Sequence, residues 1–141
     1  MTGPDLDLIA KKLARIETSV AELRTLGHPD RIRSDLREQR FFEHTLQIAI
    51  QSILDVASHI VSEERLGEPG SNHQLVDLLA RDAWVAPDLA AALHRMIGFR
   101  NIVVHGYETV DLSILEDIAR HRLDDLLAFT SAIRTRLTRQ T

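Results

Sequence analysis

Residues 100–107, RNIVVHGY, place four polar side chains around a short apolar run: Arg100, Asn101, His105 and Tyr107. An imidazole titrates near neutral pH and can therefore move a proton, while a guanidinium forms paired hydrogen bonds to phosphate or carboxylate. Asn101 and His105 are four residues apart, so on a helix they share one face, where the amide could orient the imidazole. These residue types in this order indicate proton transfer beside a bound anion.

The same residues also allow a purely structural interpretation. The chain holds 15 Arg and 7 His, so an Arg and a His five residues apart arise readily by chance. In many proteins an Arg, a His and a Tyr at a helix end form only a capping or salt-bridge cluster. The elements that carry these residues must therefore be considered before their chemistry.

Every long segment repeats apolar residues at the three- and four-residue steps of an amphipathic helix. Stop signals (Gly27 with Pro29, then the turn-like GEPGSN) and start signals (Pro87, then a capping box of Ser113 with Glu116) separate the segments. The predicted helices span about residues 5–26, 30–67, 74–83 and 87–104, with a fifth from 113 onward. Since no hairpin signal or alternating strand interrupts them, the sequence predicts an all-α, up-and-down bundle of four to five helices.

The fourth predicted helix has an unusual charge in its apolar stripe. Ala90, Leu93, Ile97, Arg100 and Val104 follow one another at steps of three and four residues, so Arg100 occupies a position that the pattern assigns to the core. A buried arginine is costly unless it is paired or faces a cleft. Because this helix is apolar on most of its circumference, it is expected to lie at the centre of its bundle or against a second copy of the chain.

Length and composition exclude several classes of protein. The 141 residues suit one domain, 1–141, and the absence of cysteine excludes disulfide frameworks and thiolate metal sites and favours a reducing cytoplasm. The net charge of −4 argues against binding nucleic acid through charge density alone. The sequence carries no signal peptide pattern, no membrane-length apolar run, no metal-ligand spacing and no glycine-rich phosphate loop, so we expect neither secretion, nor a membrane span, nor a metal or other cofactor.

The stretch GFRNIVVHGYETVD resembles the R-x4-H-x-Y signature of HEPN domains, in particular that of the HepT-like toxins, which are paired with minimal nucleotidyltransferase antitoxins. The resemblance extends to LQIAIQSILDVASHIVSE, SNHQLVDLLA and LAAALHRMIGFRN, and it covers about residues 5–137. A short pattern alone is weak, but the same pattern at the end of the fourth helix of an all-α chain is specific.

The resemblance implies a metal-independent RNA endonuclease toxin that acts as a homodimer on tRNA or mRNA, with no DNA substrate. It implies catalytic roles for His105 as the base, for Arg100 as the phosphate ligand and for Asn101 as the residue that holds His105 or contacts the substrate. Tyr107 would be the residue to which the cognate nucleotidyltransferase antitoxin attaches AMP, which would block RNA.

Two alternatives remain open at the level of sequence. The chain could be a non-catalytic helical module that presents nucleotide or substrate to a nucleotidyltransferase partner. It could also be a structural dimerisation bundle, in which Arg100 forms a buried ion pair with an Asp or Glu of the second helix. Arg33, Arg37 and Arg40 are interpreted as a solvated, ion-paired face because Asp35 and Glu38 nearly balance them.

Overall fold

The helices of this chain begin where short polar side chains can accept hydrogen bonds from the first turn. The computed structural model describes residues 3–105 and 111–140. Within them the side chains of four N-cap residues accept a bond from a backbone N–H two or three residues later, as expected for Asp and Ser at this position. The four residues are Asp5, Asp35, Ser71 and Asp111.

Helices α1 to α6 follow one another with short connections. They are α1 (Leu6–Leu26), α2 (Leu36–Glu63), α3 (Asn72–Arg81), α4 (Pro87–His105), α5 (Leu112–Asp117) and α6 (Leu123–Gln140). A 3-10 turn at Pro29–Arg31 precedes α2, and a π-helical turn at Ile118–Arg122 joins α5 to α6. The joined α5 and α6 replace the single fifth helix of the prediction, and residues 3–105 and 111–140 contain no strand, so the predicted all-α class is confirmed.

Two predicted helix starts are wrong. The second helix begins at Leu36 and ends at Glu63, not near residues 30 and 67, because Asp35 is the N-cap and Pro29–Arg31 forms a separate 3-10 turn. Arg33 consequently lies before α2 and not on its face. The predicted capping box of Ser113 is replaced by a cap from Asp111, whose carboxylate accepts the Ser113 N–H at 2.8 Å.

Helix α2 is the central element, because it packs against α1, α3, α4 and α6. Its buried side chains include Phe42, Leu46, Ile50 and Ile60, which meet apolar residues from every neighbouring helix in one continuous core. One polar side chain of α2, Gln51, contacts Arg100 of α4. None of the helices in the described part of the chain is both long and apolar enough to cross a membrane.

Gly27 ends α1 at a point where a side chain has no room. Its backbone is extended, and an added Cβ would lie 2.5 Å from Cζ of the buried Phe42 and 2.6 Å from the carbonyl oxygen of Leu23. We expect Gly27→Ala to lower the free energy of unfolding by about 1–3 kcal/mol, the usual cost of overpacking. Urea denaturation measures this, with Gly3→Ala, whose surroundings are open, as the control. Equal midpoints for the two variants would contradict the prediction.

Candidate functional site

Helix α4 carries the motif at its C-terminal end. Pro87 occupies the first turn, and the helix remains α-helical through His105. Arg100 is half-buried and His105 is exposed. Because five residues on a helix correspond to a rotation of about 140°, the two side chains of one copy leave α4 in different directions. Tyr107 lies outside the described residues.

The Arg100 guanidinium points toward α2. Its Nη2 donates to the side-chain oxygen of Gln51 at 2.7 Å, and its Nη1 donates to the side-chain oxygen of Asn101 at 3.4 Å, a long bond. Its Nε is buried and has no hydrogen-bond partner among residues 3–105 and 111–140. Arg100 therefore contacts another helix, as its position in the apolar stripe suggested, but one of its N–H donors is unpaired among the described residues.

The structural alternative required an ion pair between Arg100 and an acidic residue of the second helix, and no such pair occurs among the described residues. The partner on α2 is Gln51, a neutral amide. A neutral partner holds the guanidinium in place but leaves its charge available for an anion. This arrangement favours a cleft function for Arg100 over a purely structural one.

Gln51 is itself held by the carboxylate of Asp55, one helical turn further along α2. Its Nε2 donates to Oδ1 of Asp55 at 2.9 Å, and the Nζ of Lys12 on α1 donates to Oδ2 of Asp55 at 2.8 Å. Burial raises the pKa of Asp55, but the hydrogen bonds from Lys12 and Gln51, together with the charges of Lys12 and Arg15, outweigh it and hold that pKa below its usual range. The Asp55 carboxylate is therefore ionised near neutral pH, and Lys12 balances its charge.

A groove of about 340 Å³ lies between the first half of α2 and the end of α4. Val103 and Val104 line it from α4, and from α2 it is lined by Arg40, Glu43, His44 and Gln47. Arg40, His44, Gln47 and Gln51 are spaced by four, three and four residues, so they form one stripe along α2 that leads to Arg100.

The polar stripe of α2 was not predicted as part of a site. Its only signal in the sequence is helical spacing, which does not reveal which helix the stripe faces. Beside the stripe, the buried Glu43 accepts bonds from Gln39 at 3.0 Å and from Arg40 at 3.5 Å. Arg33 pairs with Glu116 at 2.5 Å. The ion pairs of Arg33 and Arg40 support the interpretation of this basic segment as paired with acidic residues.

Asn101 lies beside Arg100, and the bond between their side chains gives the amide a role that the sequence did not suggest. The contact between Asn101 and His105 that their spacing allows remains a prediction. His105, at the exposed end of α4, follows Val104, whose side chain is 45% exposed. The end of α4 therefore presents an imidazole and an apolar side chain side by side.

The opposite side of α4 borders an apolar cavity of about 440 Å³. Met96, Phe99 and Ile102 line it from α4, while Ile114 and Ile118 line it from α5 and the π-helical turn. The Ile114 side chain is 43% exposed. Exposed apolar side chains thus flank the motif on two sides of the same helix end.

A second cluster of titratable groups joins α3 to α4, away from the motif. The Nδ1 atoms of His73 and His94 are 2.8 Å apart, and Nε2 of His94 lies 2.9 Å from Oδ1 of Asp77. His94 precedes His105 by 11 residues, roughly 16 Å along the helix axis. No group of three or more His, Asp or Glu side chains in residues 3–105 and 111–140 is arranged to hold a metal ion.

A family model described as "Ribonuclease HepT-like" matches residues 10–133. The "mRNA nuclease HepT" of Shewanella oneidensis is 30% identical over 129 residues, which are 91% of this chain and 97% of that protein. The "tRNA nuclease HepT" of Aphanizomenon flos-aquae is 30% identical over 78 residues, 55% of this chain and 53% of that protein.

The fold also matches solved structures. The tri-AMPylated Shewanella oneidensis HEPN toxin, solved in complex with its MNT antitoxin, superimposes with a TM-score of 0.87 at 29% identity. The match covers 93% of this chain and 99% of the toxin. A cytosolic protein from Bacillus subtilis, YutE, has the same fold, with a TM-score of 0.87 at 21% identity over 99% of this chain and 95% of that one.

Proposed function

Because the chain belongs to the HepT-like ribonuclease family, we propose that it is the toxin of a toxin–antitoxin pair and cleaves RNA without a metal ion. The observation that carries the proposal is the guanidinium of Arg100, which Gln51 holds without neutralising it. Gln51 lies on α2 one helical turn after Gln47, which lines the groove. Substrates are tRNA or mRNA, as the names of the relatives suggest. DNA is not a substrate, because it lacks the nucleophile that the reaction uses.

RNA carries its own nucleophile in the 2′-hydroxyl, so the enzyme must supply a base, an acid and a cation. His105 takes the proton of the 2′-hydroxyl as that oxygen attacks the adjacent phosphorus. Arg100 stabilises the negative charge that develops on the phosphorane oxygens. The bond to the 5′-oxygen then breaks, a proton from the acid goes to that oxygen, and the products are a 2′,3′-cyclic phosphate and a 5′-hydroxyl.

The acid belongs to the second subunit of a homodimer, whose His105 faces the same cleft. Three observations support this pairing. Arg100 and His105 of one copy leave α4 about 140° apart, and His105 lies at the exposed end of the helix, where the imidazoles of two copies can meet. Val104 and Ile114 are exposed apolar residues beside the motif, and an apolar cavity lies between α4 and α5. A second copy would cover both.

Tyr107 is the residue at which the toxin is neutralised. A minimal nucleotidyltransferase antitoxin transfers AMP from ATP to the phenol oxygen of Tyr107, and pyrophosphate leaves. The added phosphate lies two residues from His105 in the sequence and competes with RNA phosphate for Arg100. The tri-AMPylated toxin of Shewanella oneidensis, solved with its MNT antitoxin, supports this mode of control.

Cleavage of labelled total tRNA and of an mRNA transcript by the purified, unmodified protein in EDTA tests the proposal. We expect cyclic-phosphate ends in the wild-type reaction and a rate about 100-fold or more lower for Arg100→Ala, the scale of losing a group that stabilises transition-state charge. Mass spectrometry establishes that Tyr107 is unmodified, and circular dichroism that the variant is folded. Intact RNA with the wild-type protein would instead support the non-catalytic partner module.

A further inference from the structure

We infer that Gln51 is a positioning residue for the cleavage reaction: it fixes the direction of the Arg100 guanidinium and, being neutral, preserves its charge for the phosphate. The inference rests on the proposed ribonuclease function. Gln51 lies on α2, outside the motif. Hydrogen bonds link Lys12 to Asp55, Asp55 to Gln51 and Gln51 to Arg100, so the three side chains together hold the guanidinium in place.

The orientation of the Gln51 amide is determined by its two neighbours. Its Oε1 accepts from Arg100 at 2.7 Å, while its Nε2 donates to Asp55 at 2.9 Å. The reversed amide would direct an N–H group at the guanidinium and a carbonyl oxygen at the carboxylate, two repulsive contacts. Asp55 therefore fixes which end of the amide meets Arg100.

The charge distribution explains why an amide is used at position 51. A carboxylate there would form a charge-assisted pair with Arg100 and would compete with the RNA phosphate for its donors. In the actual arrangement the carboxylate lies one helical turn further along α2, at Asp55, where Lys12 balances it. No carboxylate among the described residues neutralises the guanidinium of Arg100.

The bond from Arg100 is a hydrogen bond from a charged donor, a class that stabilises more than a neutral pair. Removing this bond leaves the Arg100 side chain free to rotate about several bonds, whereas binding of the phosphate requires a fixed orientation of the guanidinium. We therefore expect Gln51→Met, which has a similar length but cannot accept this bond, to lower kcat roughly tenfold or more with a smaller change in KM.

A double variant that moves the carboxylate from position 55 to position 51 tests the need for a neutral partner separately from the need for a hydrogen bond. In the double variant Gln51→Glu with Asp55→Asn, the carboxylate introduced at position 51 accepts from Arg100 with one oxygen and from the amide introduced at position 55 with the other. The oxygen of that amide still accepts from Lys12. The number of hydrogen bonds and the net charge are unchanged, but the carboxylate now pairs with Arg100. We expect wild-type thermal stability and a kcat still roughly tenfold or more below wild type. A purely structural role for Gln51 would leave kcat unaffected.

Cleavage of one labelled RNA by the 141-residue chain measures kcat and KM. Binding of the same RNA with 2′-O-methyl sugars, which lacks the free 2′-hydroxyl nucleophile, measures the affinity. Gln74→Met is the matched control, because Gln74 lies on α3, accepts from the backbone N–H of Gly70 and does not line the groove. Wild-type kcat in folded Gln51→Met overturns the inference while the ribonuclease function stands. A wild-type kcat in the double variant overturns the need for a neutral partner. If the wild-type protein does not cut RNA, whether or not it binds it, the proposed function fails, and the inference with it.

Discussion

Replacing His105 with alanine is expected to lower the rate of RNA cleavage about 1,000-fold, within the range that general acid–base catalysis contributes. The reason is that one substitution removes two groups in a homodimer: the base from one subunit and the acid from the other. Arg100 and the groove along α2 are retained, so RNA affinity should change little. The effect should therefore appear in kcat and not in KM.

The matched control is His121→Ala, which removes another exposed histidine, from the π-helical turn. Single-turnover cleavage of one labelled RNA measures the rates, and binding of the 2′-O-methyl RNA measures the affinity. A His105→Ala protein that cuts as fast as the control would assign the base to another residue, whereas loss of binding without loss of the single-turnover rate would assign His105 to substrate contact.

Replacing Tyr107 with phenylalanine is expected to make the toxin resistant to its antitoxin. Tyr107 is the single tyrosine of the chain, so every adenylyl group attached to a tyrosine must lie there. After incubation with the cognate nucleotidyltransferase and ATP, wild-type protein should gain AMP mass and lose nearly all cleavage, while Tyr107→Phe should gain none and keep its activity. The phenyl ring preserves the shape of the side chain and removes only the nucleophilic oxygen.

Intact-protein mass spectrometry and the RNA assay on the same samples test this prediction. A nucleotidyltransferase without ATP serves as the control for inhibition by binding alone. If Tyr107→Phe is modified to the same extent as the wild type, the AMP acceptor is another residue. If Tyr107→Phe is unmodified but is inhibited as strongly as the wild type, and ATP is not needed for the inhibition, the antitoxin neutralises the toxin by forming a complex.

The helices could be predicted because each segment repeats apolar residues at one period, and an amphipathic stripe of that length has only one way to be buried. Their ends were harder to predict. The second helix was predicted to begin near Asp30, directly after the stop signal of Gly27 with Pro29, but its actual cap is Asp35, five residues later. Likewise Ser113 and Glu116 match a capping box, yet both side chains bond to Arg33 from a distant part of the chain. Local patterns do not reveal such long-range partners.

In the candidate site, too, the sequence did not reveal a long-range partner. The position of Arg100 in an apolar stripe predicted that it must have a partner, and that prediction is confirmed. Only the structural alternative named a partner, an Asp or Glu of the second helix, and that partner was wrong because Arg100 bonds to the neutral Gln51. Glutamine on an amphipathic helix is ordinary in a sequence, and only the packing of α2 against α4 brings this one to Arg100. The roles of Arg100, Asn101, His105 and Tyr107 in the reaction remain proposals.

The neutral partner of Arg100 also determines how cleavage should respond to pH. Glutamine does not titrate, arginine remains protonated, and the lowered pKa of Asp55 keeps that carboxylate ionised well below neutrality. The support of the guanidinium is therefore constant over the whole range in which histidines usually change charge. Any acid or alkaline limb of the rate profile between about pH 5 and 8 would consequently report on an imidazole and not on the anchoring of the phosphate ligand.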